Sequence, residues 1–167
     1  MRRPDAQLDF DLELVKRRSM DNPVFYMQYG HARLCSIIRK AASLGITPPP
    51  FSPDLLELLK LPEERELVRK LAFYPETLTG CLRTLEPHHL VYYINDTISV
   101  FHGYYTKYKG AERVVSDDLA KTAARLMMCE AVKIVLGNAM RILGVTAPEK
   151  MESAPEEEGE LDAPRTK

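Results

Sequence analysis

From Leu8 to Leu14 apolar and acidic residues alternate, with Leu8, Phe10, Leu12 and Leu14 on one side, which reads as a short strand or an extended arm with no partner strand. After Asp21 the spacing turns helical. Asp21 or Asn22 can cap free amides, Pro23 suits a first helical position, and Gly45 suits the residue after the end, so one helix is expected from about 23 to 44. Thr47-Pro-Pro-Pro50 breaks regular structure. Ser52-Pro53 is expected to open a short helix to about Lys60, Pro62 another to about Tyr74, and a further short one falls between Pro75 and Leu85. Pro87 opens a helix to about Gly110, with Leu90, Ile94, Thr97, Ile98, Phe101, Tyr105 and Tyr108 along one face. Ser116, with Asp117 and Asp118 behind it, is expected to cap a last helix through Ala123, Met127, Ala131 and Ile134 to Leu143-Gly144.

These elements predict an all-α bundle over residues 21–151, preceded by an extended arm over 1–20. From Glu152 the chain is acidic and nearly free of apolar residues, and is expected to be a disordered tail over 152–167. There is no internal repeat. The 167 residues suffice for one substantial core and not for two full domains.

Charge matters only after it is divided. The net charge is −1, but the tail holds six acids and two bases, a charge of −4, which leaves +3 on the remainder. That is compatible with a polyanionic partner and far from the strongly basic surface that would announce one. Cys35, Cys81 and Cys129 show neither Cys-x-x-Cys pairing nor disulfide density, as suits a reducing cytoplasm. No apolar run approaches a membrane span, so a soluble cytoplasmic protein with no membrane partner is expected.

Tyr26, Tyr29, Gly30 and Arg33 share one stripe of the first helix, at positions i, i+3, i+4 and i+7. Met27, His31, Leu34, Ile38 and Ala41 form a neighbouring stripe better suited to the core, which leaves the tyrosine stripe partly available. Phenol rings can stack on unpaired bases, and a guanidinium can hold a phosphate or a base edge. The same pattern also describes half-buried tyrosines with an arginine lying over them, the commoner use of such residues. Tyr92, Tyr93, Tyr104, Tyr105 and Tyr108 admit the same two readings. Adjacent His88 and His89 should face apart, and His31 and His102 lack a cysteine or carboxylate at recognised zinc spacing, so no metal site is expected. Phosphate-cradling loops and nucleophile signatures are absent, so no catalytic residue is expected.

The run Asp21-Asn-Pro-Val-Phe-Tyr-Met-Gln-Tyr-Gly-His-Ala-Arg33 closely resembles the junction of arginyl-tRNA synthetases between catalytic and C-terminal anticodon-binding domains. Leu8-Asp-Phe-Asp-Leu12 looks like the approach to that junction. Glu86-Pro-His-His-Leu90 and Phe101-His-Gly-Tyr-Tyr105 resemble a helix forming the other wall of the anticodon pocket. Ala124-Arg-Leu126, Leu136-Gly-Asn138, Ile142-Leu-Gly-Val145 and Pro148-Glu-Lys-Met151 resemble the terminal helix and ending. The likeness covers about residues 8 to 151. The Asp-Ala-Leu-Arg string for which such domains are named does not occur, and Ala124-Arg125-Leu126 stands in the comparable region.

The resemblance implies the helical-bundle fold of class I synthetase anticodon-binding domains. It also implies recognition of the arginine tRNA anticodon loop through Tyr26, Tyr29, Arg33, Tyr105 and Met151. The HIGH-like and KMSKS-like motifs of the adenylate-forming machinery are absent, so the chain should not activate arginine alone. The implied partner is a catalytic domain, in cis or in trans, that uses ATP with Mg2+; the chain itself is expected to need no cofactor. Two departures stand out: family members usually end near the methionine matching Met151, whereas sixteen residues follow it here, and the domain contacting the tRNA elbow is absent. Other uses of the fold are a trans-acting part of a synthetase, a protein-interaction module that has lost RNA binding, or the related helical domain of the cysteine-specific synthetase.

Overall fold

Asn22 sets the first helix where the sequence expects it. In the computed structural model, which describes residues 16, 18–108 and 112–151, its side-chain Oδ1 accepts hydrogen bonds from the amides of Val24, at 3.1 Å, and Phe25, at 3.5 Å. Helix α1 then spans Pro23–Ser43 and closes at Leu44, with Gly45 following at φ 78°. That left-handed backbone is one glycine adopts without penalty. The expected arm over 1–20 falls largely outside the described residues, and the expected tail over 152–167 wholly so.

Helix α2, Pro53–Leu56, is a single turn and stops short of the expected Lys60. Helix α3, Pro62–Thr84, replaces two expected helices with one continuous element that contains Pro75. Proline removes the amide that would bond the Leu71 carbonyl, a local cost of about 3 kcal/mol. Tertiary packing outweighs it, because the pairing of α3 with helix α4, His88–Lys107, is the most extensive between described helices. Near the proline, the Tyr93 hydroxyl donates to the Lys70 carbonyl at 2.9 Å, and the Tyr74 and Tyr93 rings lie 5.5 Å apart. Thr77 and Thr79 hydroxyls donate back to the carbonyls of Phe73 and Pro75.

Along α4 the buried face is Leu90, Ile94, Thr97, Ile98, Phe101 and Tyr104. The expected face assigned its later position to Tyr105. Both tyrosines satisfy helical spacing, but Tyr104 continues the three-and-four rhythm into the core while Tyr105 is turned to the side and half-buried.

Helix α5, Leu119–Ile142, takes Asp118 as its cap, with Oδ1 accepting from the Lys121 amide at 3.0 Å. Ser116, the expected cap, instead closes a small loop with Thr122. Its amide donates to Thr122 Oγ1 at 3.0 Å, and that hydroxyl donates to the Ser116 carbonyl at 3.1 Å. Helix α5 packs on the four other helices given above. It therefore buries residues around much of its circumference, from Ala124 and Leu126 through Cys129, Val132 and Leu136 to Met140, while Ile134 is exposed.

A charged group ties three helices together inside this core. Glu64 on α3 and Arg125 on α5 are 0% and 2% exposed, and Arg125 Nε donates to Glu64 Oε1 at 2.7 Å. Glu64 Oε2 accepts from the Leu61 amide at 3.0 Å, and the Tyr104 hydroxyl reaches Oε1 at 3.4 Å. Arg125 also donates to the Arg113 carbonyl and pairs with Glu112. Burying these charges is tolerable because nearly every polar atom finds a partner. Burial pushes the Tyr104 hydroxyl far up from its usual value, and the Cys129 thiol up to about 12. Among the described residues no helix is long and apolar enough to cross a membrane.

Candidate nucleic-acid interface

The tyrosine stripe of α1 meets the late turns of α4 and the segment after α5. The Arg33 guanidinium carbon lies 5.4 Å from the Tyr29 ring centroid and 4.9 Å from that of Tyr105. A cation over two ring faces is held by their quadrupoles. Between Tyr26 and Tyr29 stands His102, edge-on to both, at 5.6 Å and 6.0 Å. Phe25 and Tyr29 form a small apolar cluster of their own, 6.2 Å apart, with Met20 and Met151 packed on it. All five residues expected at the site are thus joined by contacts.

They are not equally open. Tyr29 is 8% exposed, whereas Tyr26, Arg33, His102, Tyr105 and Met151 are half-buried. Gly30, on the stripe expected to be partly available, is closed off: a Cβ there would come within 2.8 Å of three carbons of the Ile98 side chain. Its role is to let α1 approach α4, which is what brings Arg33 to Tyr105. Burial raises the Tyr26 hydroxyl above its usual pKa, against the effect of a hydrogen bond with Ser99. At neutral pH it is therefore a neutral phenol.

Met151 reaches this cluster because the segment after α5 is strapped onto α1. Gly144, at φ 71°, turns the chain back. Gln28 Nε2 then donates to the Thr146 carbonyl at 3.1 Å and to its hydroxyl at 2.8 Å. His31 Nδ1 lies 2.9 Å from the Pro148 carbonyl, and Arg39 donates to the Glu149 carbonyl at 3.0 Å. His31, expected in the core stripe, is buried but is used to hold this strap, with Cys35 Sγ 3.8 Å from the same nitrogen. Ile38 is only half-buried, and Ile37 takes its place inside.

A family model described as the DALR anticodon binding domain matches residues 27–151. The chain belongs to that family. Its resemblance to arginine-tRNA ligases extends over nine-tenths of its length. It is 48% identical over 153 residues to the arginine–tRNA ligase of Anaeromyxobacter sp. (strain K), covering 91% of this chain and 26% of that one. For the enzyme of Anaeromyxobacter sp. (strain Fw109-5) the identity is 50% over 153 residues, with 91% and 25% covered. The solved arginyl-tRNA synthetase of Thermus thermophilus superposes with a TM-score of 0.72 at 28% identity, covering 89% of this chain and 24% of that one. The chain spans about a quarter of the length of these relatives.

Within this DALR domain, the Ala124-Arg125-Leu126 segment is structural: Ala124 and Leu126 are fully buried and Arg125 is engaged by Glu64. His102 is the site residue that sequence reasoning missed. A lone histidine carries no periodic signal of its own, and its clue is its place inside the Phe101–Tyr105 run that resembles the pocket wall.

Proposed function

We propose that this DALR domain recognises the anticodon loop of an arginine tRNA, and that it serves arginine–tRNA ligation together with a catalytic domain in cis or in trans. The observation that carries the proposal is Arg33 held between Tyr29 and Tyr105. A cation and π-faces at one rim, backed by an apolar floor, suit an unstacked base and its phosphate. Tyr29, with Phe25 beneath it and Met151 beside it, supports the floor more than it offers a face. Tyr26 and Tyr105 supply the accessible rings, and the Arg33 fork serves a base edge or phosphate. Stacking is worth roughly 1–3 kcal/mol per base, so two faces provide a sizeable fraction of a specific affinity. The binding energy would help orient the acceptor end at a distant active site. ATP and Mg2+ belong to the catalytic domain in this reading, and the setting is the cytoplasm.

The test is binding of the purified chain to an arginine tRNA transcript and to the same transcript with a changed central anticodon base, at fixed near-physiological salt. Loss of affinity on that change is expected. Equal affinity for both transcripts would remove anticodon readout from this domain.

A further inference from the structure

In the middle of a helix, adjacent side chains diverge by about 100°. In the first turn of α4 the backbone is helical, yet one adjacent pair of side chains converges. The rings of His88 and His89 lie 4.2 Å apart at 34°, against the expectation that they face apart. His89 Nε2 is 3.0 Å from Glu86 Oε2. One carboxylate oxygen and one nitrogen from each imidazole all fall within 4.8 Å of one another.

We propose that Glu86, His88 and His89 form a binding site for a divalent transition ion of the zinc type. Two imidazoles and a carboxylate are a donor set that zinc, copper and nickel accept, and one that calcium and magnesium, which require oxygen, do not. Zinc holds such ligands at about 2.0–2.2 Å, which places tetrahedral ligand atoms roughly 3.4 Å from each other. The Glu86–His89 separation, at 3.0 Å, is slightly shorter than this and reaches it with a small side-chain rotation. The side chains of His89 and Glu86 are 47% and 39% exposed, so rotation about their terminal bonds can bring the third ligand in without moving the backbone. The positive end of the α4 dipole opposes a cation here, and the Glu86 carboxylate offsets it. His89 also borders an open groove between α3 and α4, beside Thr84, Tyr92 and Asp96, which leaves the ion's remaining coordination position accessible to solvent.

This site is separate from the tyrosine cluster. His89 and Tyr105 are sixteen residues apart on α4, about 24 Å along the helix axis. The test is calorimetric titration of chelator-treated full chain with zinc chloride, in wild type and in a Cys81→Ser background that removes the half-buried thiol. One ion per chain is expected in both. Glu86→Gln, His88→Ala and His89→Ala should each weaken binding by about tenfold or more, the scale seen when even an indirect support of a metal site is lost. Helical circular dichroism should be unchanged in all three. Cobalt substitution should give a spectrum without thiolate charge-transfer bands. Wild-type binding in the His88→Ala/His89→Ala double variant, or no binding by the wild type at micromolar zinc, overturns the assignment.

Discussion

Arg33 and Tyr105 belong to helices that cross, and the guanidinium carbon of one lies 4.9 Å from the ring centroid of the other. The contact joins the two walls of the proposed RNA site. Arg33→Ala and Tyr105→Ala should each reduce affinity for an arginine tRNA by roughly 5- to 150-fold, the range of one stacked base, with little change in helix content. Their combined effect should be smaller than the sum, since each loses the same contact. Arg33→Lys should fail to restore binding because it keeps the charge and loses the planar fork. Full affinity in the lysine variant would reduce Arg33 to a simple counter-charge.

Gly30→Ala should destabilise the fold by about 1–2 kcal/mol, although alanine is the better helix former, because Ile98 is stiff and fully buried where the new methyl must go. Thermal unfolding reads the loss. Adding Ile98→Ala should cost less in the Gly30→Ala background than in the wild type. A Gly30→Ala chain as stable as wild type would mean that the helices separate freely.

Glu64→Gln should damage the fold more than Gly30→Ala does. It removes the fully buried one of Arg125's two carboxylate partners and leaves only Glu112, at about 3–5 kcal/mol, which corresponds to a fall in Tm of roughly 10 °C for a chain of this size. Replacing both residues with apolar ones of similar volume should be milder than either single change. If Glu64→Gln melts with the wild type, the pair has no part in holding α3 to α5.

Glu112 gives the fold a pH dependence of known sign. Its carboxyl is held below the usual 4.5, first by the hydrogen bond from Arg125 and then by that from Lys121. A group with a lowered folded-state pKa stabilises the fold fully above its unfolded value, and that stability is lost as pH falls through the folded one. Glu112→Gln should therefore melt below wild type at pH 7, and the gap should close as pH drops below about 4.5. A gap that stays constant down to pH 3 would mean that the ion pair contributes nothing.

Local chemistry explains which parts of this structure were legible in the sequence. Asn22, Pro23, Gly45 and Gly144 mark helix ends through capping and backbone sterics, which depend on a few neighbours. Pro75 misled because the same local rules forbid what the α3–α4 packing enforces. Tyr104 and Tyr105 are indistinguishable by spacing, and only the position of α3 decides which one meets Glu64. The stripe of Tyr26, Tyr29 and Arg33 could be read directly from its period. That Tyr105 faces it was carried by resemblance, and His102 only by lying in the same resembling run. His88 and His89 occupy adjacent helical positions, and their rings are brought together by side-chain torsions that spacing does not carry.

The strap from Gly144 to Met151 places residues 25 and 151, 126 positions apart, in one apolar cluster. During synthesis, α1 is therefore made long before the floor of its own pocket exists. A chain halted inside α5 could hold much of its helical bundle and still leave Phe25 and Tyr29 without their Met151 cover. Only a chain extended through Met151 covers them, so the site proposed for RNA is completed last, by the final described residues to be made.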